Sequence, residues 1–235
     1  MTAEPANTQT DATRRAFDDW SGHWREHYKD DGLMAGRVAR FMAALSVPPA
    51  EGGKVLDFGC GTGEIAAAAS SGGWQVDGCD ISSRMIAACE ARPDGAGVVW
   101  HALAPSTPLP LPFEDAAFDA VVSSSVFEYL AAPDAVLAEV ARVLKPEGRL
   151  LFTVPDPRHD VRRREARLAR LARIAPIWWI VSVTRWREMF RYLRISVNRP
   201  ALAVWREMLH ANGFDAAVPS DADDPLALLI GTKRE

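Results

Sequence analysis

The sequence predicts an α/β fold built on a seven-stranded, mostly parallel sheet flanked by helices. Three observations point to this class. Short apolar stretches alternate with helical patterns of about ten residues, as they do in βαβ units. A glycine-rich turn joins the first predicted strand to a helix. The length of 235 residues, 48% of them apolar, suits one large domain.

The N-terminal region divides into two parts. Residues 1–13 are polar, and we predict a disordered leader there. In residues 14–46 aromatic side chains, including Trp20 and Tyr28, recur at spacings of three and four. We predict helices whose Trp20, Trp24 and Tyr28 form a lid over a ligand site, with Trp20 or Tyr28 closing over the ligand. The alternative is that these helices simply dock on the sheet.

Strands and helices then follow one another along the chain. We predict strands at 54–58, 74–79, 98–101, 118–123, 149–154, 214–218 and 226–232, the last two forming a hairpin. We predict helices at 62–70, 82–91, 134–144 and 201–211, with Ser82 as an N-cap. Residues 14–157 and 200–235 are expected to form one domain that is interrupted by 158–199.

The segment VLDFGCGTG at 55–63 carries the strongest functional signal, because a strand runs into three alternating glycines and then a helix. Its G-x-G-x-G spacing places Glu64 where a dinucleotide motif has its third glycine. Asp57 would repel a pyrophosphate but attract a cation, and Asp80 can hold the hydroxyls of a ribose. The ligand implied is S-adenosylmethionine, with NAD(P) as the disfavoured alternative.

Residues 50–155 resemble the class I S-adenosylmethionine-dependent methyltransferases, a group that includes the quinone-biosynthesis type. Four segments carry the resemblance: 55–63, 76–82, 111–130 and 137–157. The resemblance implies a Rossmann-like sheet with N-terminal helices and an α-helical cap insertion. It further implies S-adenosylmethionine as cofactor and methyl transfer to a small-molecule acceptor, with a hydroxyl oxygen as the expected methylated atom. The alternative is an inactive cofactor-binding protein that acts as a regulator or scaffold.

The resemblance also assigns cofactor contacts residue by residue. The residues expected around the methionine part are Asp57, Gly59, Cys60, Gly61 and Gly63. Asp80 is expected at the ribose, Ile81 and Met85 at the adenine, and Ser123 near the sulfonium. The family often has an acidic residue after the third strand. This chain has Ala102 and Leu103 there, which we assign to the adenine.

A hydroxyl acceptor can require a general base, and two histidines follow predicted strand ends. His101 and His159 are the candidates, against the alternatives of a wall residue and an exposed loop residue. Glu128 and Tyr129 follow the fourth strand and are candidates for contact with the acceptor, the alternative being helix packing. The three cysteines show no metal-ligand spacing, and we expect no metal.

Charge is distributed unevenly along the chain. Residues 158–199, here called the cap, contain twelve arginines and three acidic residues, whereas the rest of the chain has a balance of −13. Residues 174–183 are mostly apolar and include paired tryptophans. Three alternatives stay open for the cap: a solvated cover over the acceptor, a site for an anionic or lipid-linked acceptor at a membrane surface, and, least favoured, nucleic-acid binding.

The sequence contains no apolar run of roughly 18 residues and no signal-like N-terminal segment. We therefore expect a cytoplasmic protein that makes at most peripheral membrane contact through the cap.

Overall fold

Seven strands form one sheet in the computed structural model. They are β1 (Lys54–Phe58), β2 (Gln75–Asp80), β3 (Val98–Ala102), β4 (Phe118–Ser123), β5 (Leu144–Pro155), β6 (Phe214–Ala217) and β7 (Leu226–Lys233). The structure describes residues 3–29, 32, 34, 36–46, 48, 52–104, 108–172, 186–217 and 224–235. The strand order is β3-β2-β1-β4-β5-β7-β6, and every predicted strand is confirmed.

The chain direction within the sheet explains where a ligand can bind. Strands β1 to β5 pair in parallel, and β7 runs antiparallel to both β5 and β6. Because β2 and β4 lie on opposite sides of β1, the strand order reverses there, and a crevice opens at the carboxyl ends of β1 and β4.

Eight α-helices are described. They are α1 (Ala3–Trp20), α2 (Arg37–Leu45), α3 (Glu64–Ser71), α4 (Ser83–Glu90), α5 (Pro133–Val143), α6 (Asp160–Ala172), α7 (Arg187–Ile195) and α8 (Leu202–Ala211). Ser82 caps α4 as predicted, since its hydroxyl accepts a hydrogen bond from the Met85 amide. Within the described part of the chain, no helix is long and apolar enough to cross a membrane.

The core consists of two apolar layers, one on each face of the sheet. Neighbouring residues of β1 belong to different layers, because side chains alternate along a strand. Leu56 packs with the layer formed by α5 and α8, which includes Trp205, whereas Val55 packs with the layer formed by α2 and α3, which includes Phe41. All four side chains are fully buried, so the glycine turn that follows β1 starts from a rigid strand.

The prediction of a disordered leader at 1–13 is wrong, because α1 begins at Ala3. The Gln9 amide nitrogen donates to the carbonyl oxygens of Tyr129 and Ile195 at 3.1 and 2.8 Å. Thr13 is buried as well. The Gln9 side chain is satisfied by partners that lie more than a hundred residues away, so the composition of this segment does not reveal its fold.

Two helices of the cap are described, α6 and α7, and they pack against each other. Leu168 and Ala169 on α6 contact Phe190 and Leu193 on α7. The apolar segment at 174–183 lies outside the described residues. That the cap covers an acceptor, and that residues 14–46 act as a lid, stay predictions.

Candidate functional site

A cavity of about 370 Å³ lies at the carboxyl ends of β1, β2 and β4. Its floor comes from the glycine turn and from the loop after β2, and one wall comes from the loop after β4. The opposite wall is formed by the N-terminal region, through Thr10, Thr13, Phe17, Trp24 and Tyr28. Among the described residues that line it, none is a lysine, arginine or histidine.

The glycine turn fits closely between its neighbours. Gly59 has a φ of +73°, and a Cβ there would lie 2.2 Å from a methyl group of Val126. Gly59, Cys60 and Gly61 line the cavity. Gly63 is not part of this lining, and a Cβ at this position would meet the Trp100 ring at 2.6 Å. Gly63 is therefore needed for packing beneath the turn.

Asp57 supplies the first of two buried carboxylates. It is the last residue but one of β1, lines the cavity, and accepts a hydrogen bond from the Ala66 amide at 3.1 Å. Burial raises the pKa of Asp57 to about 8, and the nearby charges of Asp80 and Glu64 act in the same direction. A cation in the cavity would stabilise the ionised form of this carboxylate.

Asp80 supplies the second carboxylate, at the end of β2. It accepts hydrogen bonds from the amides of Gly61 and Ser82 at 3.0 and 2.8 Å. Burial raises the pKa of Asp80 to about 6, and the two amides oppose that shift. The amides also hold the carboxylate at the cavity edge, where oxygen lone pairs are left over for the hydroxyls of a ligand.

The residues predicted at the adenine divide into two pairs. Ile81 and Leu103 line the cavity, and the Leu103 amide donates to the Asp80 carbonyl oxygen at 2.8 Å. Met85 is fully buried and does not line the cavity, because it belongs to the packed side of α4. Ala102 is exposed in the edge strand β3 and is absent from the lining as well.

Ser123 is fully buried at the end of β4. Its hydroxyl donates to the Phe58 carbonyl oxygen at 2.9 Å, so it ties β4 to β1 and does not line the cavity. The next two residues, Ser124 and Ser125, line the cavity instead. The sequence analysis chose Ser123 and missed these two residues. Which residue leaves the sheet depends on where strand pairing stops, and the local sequence does not show that point.

The structure brings neither candidate histidine to the cavity. His101 Nε2 lies 2.6 Å from Asp77 Oδ1, and its ring meets Phe113 edge-on. His159 directly precedes α6, where its Nδ1 accepts from the Val161 amide at 3.3 Å. Neither lines the cavity, so the prediction of either as a base acting there is corrected.

Glu128 and Tyr129 are adjacent in the chain but differ in their surroundings. Glu128 is buried away from the cavity and accepts from the hydroxyls of Ser196 and Tyr192 at 2.5 and 3.1 Å. Tyr129 lines the cavity and meets the Phe17 ring edge-on at 5.2 Å. Burial, together with the Glu128 charge, holds the pKa of Tyr129 well above its usual range.

The aromatic residues of the N-terminal region do not all reach the cavity. Trp20 was predicted to close over the ligand, but it does not line the cavity. Its indole nitrogen instead donates to Glu188 at 2.7 Å. Trp24 does line the cavity, and it lies 3.3 Å from the position of a Cβ on Gly61. Tyr28 lines the cavity as predicted, and burial raises its pKa to about 12.

The sequence analysis missed three residues of the N-terminal wall. Phe17 belongs to the aromatic pattern from which Trp20, Trp24 and Tyr28 were singled out, so a signal existed for it. Thr10 and Thr13 lie in the segment predicted to be disordered, and no local pattern marks them.

Comparison with known proteins decides the family. Residues 56–152 match a family model described as a methyltransferase domain. The chain is also 30% identical over 213 residues to a ubiquinone/menaquinone biosynthesis C-methyltransferase from Paraburkholderia phymatum, a match covering 86% of this chain and 85% of that protein. The chain belongs to the class I S-adenosylmethionine-dependent methyltransferases.

Other relatives of this methyltransferase match over a shorter region. A C-methyltransferase of the same description from Desulfotalea psychrophila is 39% identical over 53% of this chain. A fatty-acid O-methyltransferase from Mycolicibacterium smegmatis is 36% identical over 60% of it. The chain spans about half the length of these two relatives, 51% of each.

Solved structures support the same fold. A Burkholderia thailandensis 1,6-didemethyltoxoflavin-N1-methyltransferase, solved with S-adenosylhomocysteine, matches with a TM-score of 0.64 and 18% identity over 98% of this chain and 91% of that one. The cofactor of the methyltransferase is S-adenosylmethionine. Two buried carboxylates, in a cavity whose described lining contains no cationic side chain, fit this positively charged nucleoside and disfavour a dinucleotide.

Proposed function

We propose that this methyltransferase transfers a methyl group from S-adenosylmethionine to a hydroxyl oxygen of a small-molecule acceptor. One observation carries the proposal: a single cavity runs from the glycine turn and its two buried carboxylates to an aromatic wall formed by the N-terminal region. When bound, the cofactor supplies an electrophilic methyl group. The protein then has to place the acceptor oxygen in line with that group and exclude water.

The cavity residues suit the separate parts of the cofactor. In our proposal Asp80 binds the ribose hydroxyls, while Ile81 and Leu103 contact the adenine. Asp57 and the backbone of 59–61 surround the methionine part, whose ammonium group neutralises Asp57. Met85, Ala102, Gly63 and Ser123 support this site through packing and make no contact with the cofactor.

The acceptor is proposed to lie against the aromatic wall. Phe17, Trp24, Tyr28 and Tyr129 present rings to the cavity, and Leu130 and Val126 add aliphatic surface. Such a wall suits an acceptor with an apolar body. The names of two relatives, a fatty-acid O-methyltransferase and a demethylmenaquinone methyltransferase, support an acceptor of this kind.

Proton transfer limits the type of hydroxyl group. No histidine is found in the part of the cavity lining that the structure describes, and the raised pKa values of Tyr28 and Tyr129 keep both phenols protonated near neutral pH. We therefore propose an acceptor hydroxyl that ionises readily by itself, as a phenol, an enol or a carboxylic acid does.

The positive charge of the cap favours an anionic or lipid-linked acceptor that is presented at a membrane surface. On α6, Arg162 and Glu165 face inward, whereas the exposed positions include Arg163, Arg164 and Arg167. A cationic helix face on a protein whose remaining chain is acidic suits anionic headgroups. Nucleic-acid binding is the less favoured alternative.

Calorimetric titration of S-adenosylhomocysteine tests the cofactor site. We expect Asp80→Asn to weaken binding at least about tenfold, the size expected for a lost charge-assisted hydrogen bond. The matched control is Asp77→Asn, on the same strand but paired with His101, which should bind within about twofold of the wild type.

Two outcomes would count against the proposal. A wild type that binds no S-adenosylhomocysteine would overturn the cofactor site. Tight binding without release of S-adenosylhomocysteine from S-adenosylmethionine, across a panel of phenols, enols and fatty acids, would instead favour an inactive regulatory or scaffold protein.

A further inference from the structure

Ser125, two residues beyond the end of β4, has a strained backbone. Its φ is +56°, in the left-handed region that residues with a side chain rarely adopt. Among the described residues other than glycine, three more have a positive φ, namely Ser46, Ala116 and Glu147. None of those three lines the cavity, whereas Ser125 does. Glycine would take this conformation without strain, so a serine here points to a use for its hydroxyl in the cavity.

The neighbouring strand fixes this conformation. The Ser125 amide donates a hydrogen bond to the Thr153 hydroxyl at 2.9 Å. Thr153 belongs to β5 and is almost fully buried, so its hydroxyl oxygen is held in place by the sheet. Because this hydrogen bond offsets part of the strain, it keeps Ser125 in the cavity wall in one backbone conformation.

Ser125 also lies at the junction between the two halves of the site. The next residue, Val126, packs against Gly59 of the glycine turn, where we propose that the methionine part of the cofactor binds. The helical turn that follows carries Tyr129 into the aromatic wall proposed for the acceptor. In the proposed arrangement Ser125 is therefore placed between the methyl donor and the acceptor.

A serine hydroxyl suits an ionised acceptor oxygen. It donates one hydrogen bond, and such a bond is stronger when the accepting oxygen carries a charge. The acidic side chains in the described lining, Asp57 and Asp80, would repel a negatively charged oxygen. A neutral donor close to the glycine turn would offset that repulsion.

We propose that Ser125 is a specificity-determining residue that donates a hydrogen bond to the ionised oxygen of the acceptor, and that Thr153 is a positioning residue for it. This rests on the proposed function, because it requires an acceptor hydroxyl that ionises. The acceptor oxygen supplies the electron pair of the new bond to carbon, and the pair of the broken carbon–sulfur bond stays on sulfur. Ser125 keeps its proton throughout and acts by aiming the oxygen at the methyl carbon.

A coloured phenol tests this role. 4-Nitrophenolate absorbs visible light, so its binding and its ionisation can both be followed in protein loaded with S-adenosylhomocysteine. Nitrobenzene has the same ring and nitro group without the hydroxyl oxygen. We expect Ser125→Ala to weaken 4-nitrophenolate about tenfold or more and nitrobenzene less than about twofold. The apparent pKa of the bound dye should be higher in the variant, because the ionised form loses a donor.

Ser125→Gly removes the hydroxyl and the strain together. Because glycine accepts the φ of this position, the variant should unfold at about the urea concentration of the wild type and still lose the phenolate. The matched control is Ala116→Gly, which relieves a φ of +52° at an exposed position outside the cavity. It should leave the binding of both probes unchanged.

Thr153 is tested by a conservative pair. Thr153→Val removes the oxygen that accepts from the Ser125 amide, so it should weaken 4-nitrophenolate without a matching loss of nitrobenzene. Thr153→Ser keeps that oxygen and should restore the phenolate. Equal losses of 4-nitrophenolate in Thr153→Val and Thr153→Ser would contradict the positioning role.

Unchanged binding of 4-nitrophenolate by folded Ser125→Ala and Ser125→Gly proteins would overturn the role of Ser125 and leave the proposed function standing. The same holds for equal losses of both probes, or for weaker S-adenosylhomocysteine binding with unchanged 4-nitrophenolate, which would assign Ser125 to the cofactor. A wild type that binds S-adenosylhomocysteine but neither probe would overturn the proposed acceptor wall, and the role of Ser125 with it.

Discussion

The two carboxylates of the cavity are both removed from water. Asp57 and Asp80 are almost fully buried, and in both cases burial outweighs the backbone amides that stabilise the ionised form. The described residues of the cavity lining offer neither of them a cationic side chain. A bound cation would therefore stabilise the ionised carboxylates, and the raised pKa of Asp57 makes the stability of the protein depend on pH.

Asp57 should make the free energy of unfolding fall as pH rises. Its pKa is raised to about 8 in the folded protein, whereas an unfolded chain has a value of about 3.9. Between these values only the folded state holds the proton, so stability is full below about pH 4 and is lost as pH rises towards 8. Urea denaturation at a series of pH values should show a fall that is smaller in Asp57→Asn, by on the order of 1 kcal/mol or more.

The control for this measurement is Asp215→Asn, an exposed position of β6. It should show the pH dependence of the wild type. An equal fall in Asp57→Asn and in the wild type would mean that Asp57 is ionised in the ligand-free protein.

At the scale of elements, the short helical turn at Phe127–Tyr129 is fastened to the segment that follows α7. The Glu128 carbonyl oxygen accepts from the amides of Val197 and Asn198, and its carboxylate accepts from the Ser196 and Tyr192 hydroxyls. The same turn carries Tyr129 into the cavity wall. Contacts between the cap and the turn thus support one wall of the site.

Glu128→Gln should lower stability without affecting the cofactor. Because the carboxylate is buried with hydrogen-bonded partners and lies 3.9 Å from Arg199, we expect a loss of about 1–3 kcal/mol in urea denaturation. Binding of S-adenosylhomocysteine should stay within about twofold of the wild type, since Glu128 does not line the cavity.

Glu207→Gln, at an exposed position of α8, is the matched control and should change stability by less than about 0.5 kcal/mol. A Glu128→Gln protein with wild-type stability but no methyl transfer would contradict a structural role and restore Glu128 as a candidate for contact with the acceptor.

For the whole molecule, the decisive feature is the separation of charge between the cap and the rest of the chain. Twelve arginines lie in the cap, and on α6 several of them are exposed along one face. The remainder of the chain carries a balance of −13, which would orient the molecule with the cap towards an anionic surface.

This asymmetry predicts salt-sensitive binding to phosphatidylglycerol vesicles and none to phosphatidylcholine vesicles. Sedimentation with vesicles should show binding at low salt that is lost at roughly 0.5 M salt, where charges are screened within a few ångströms. The double variant Arg164→Glu and Arg167→Glu should reduce vesicle binding at least about tenfold.

The matched control reverses two exposed arginines elsewhere, Arg15→Glu and Arg206→Glu, and should retain most of the binding. Binding to duplex DNA without binding to anionic vesicles would contradict the membrane proposal and favour the nucleic-acid alternative.

Much of the fold and part of the site could be predicted because their signals are local. A strand such as 118–123 is recognised by its own apolar pattern, and its predicted bounds agree with β4. The glycine turn and Asp80 are likewise recognised by their spacing in the sequence, and Asp57, Gly59 and Gly61 line the cavity. Each of these depends on residues within a few positions of one another.

The errors concern side chains whose direction depends on distant partners. His101 lies in the third strand, one residue before its end, and its ring is held by Asp77 on the neighbouring strand, outside the cavity. Trp20 belongs to the same helical pattern as residues that line the cavity, yet its indole nitrogen donates to Glu188 of the cap, and the ring lies outside the cavity.

The amino-acid sequence by itself therefore determined the order of strands and helices, the glycine turn and the choice of a cationic nucleoside as cofactor, because short-range periodicity and spacing encode them. Only the tertiary structure decided that the first helix forms a wall of the site and that Ser125 is held at the cavity. Those placements depend on contacts such as Gln9 with Tyr129 and Ser125 with Thr153. Contacts across 120 and 28 residues leave no mark in any local pattern of the chain.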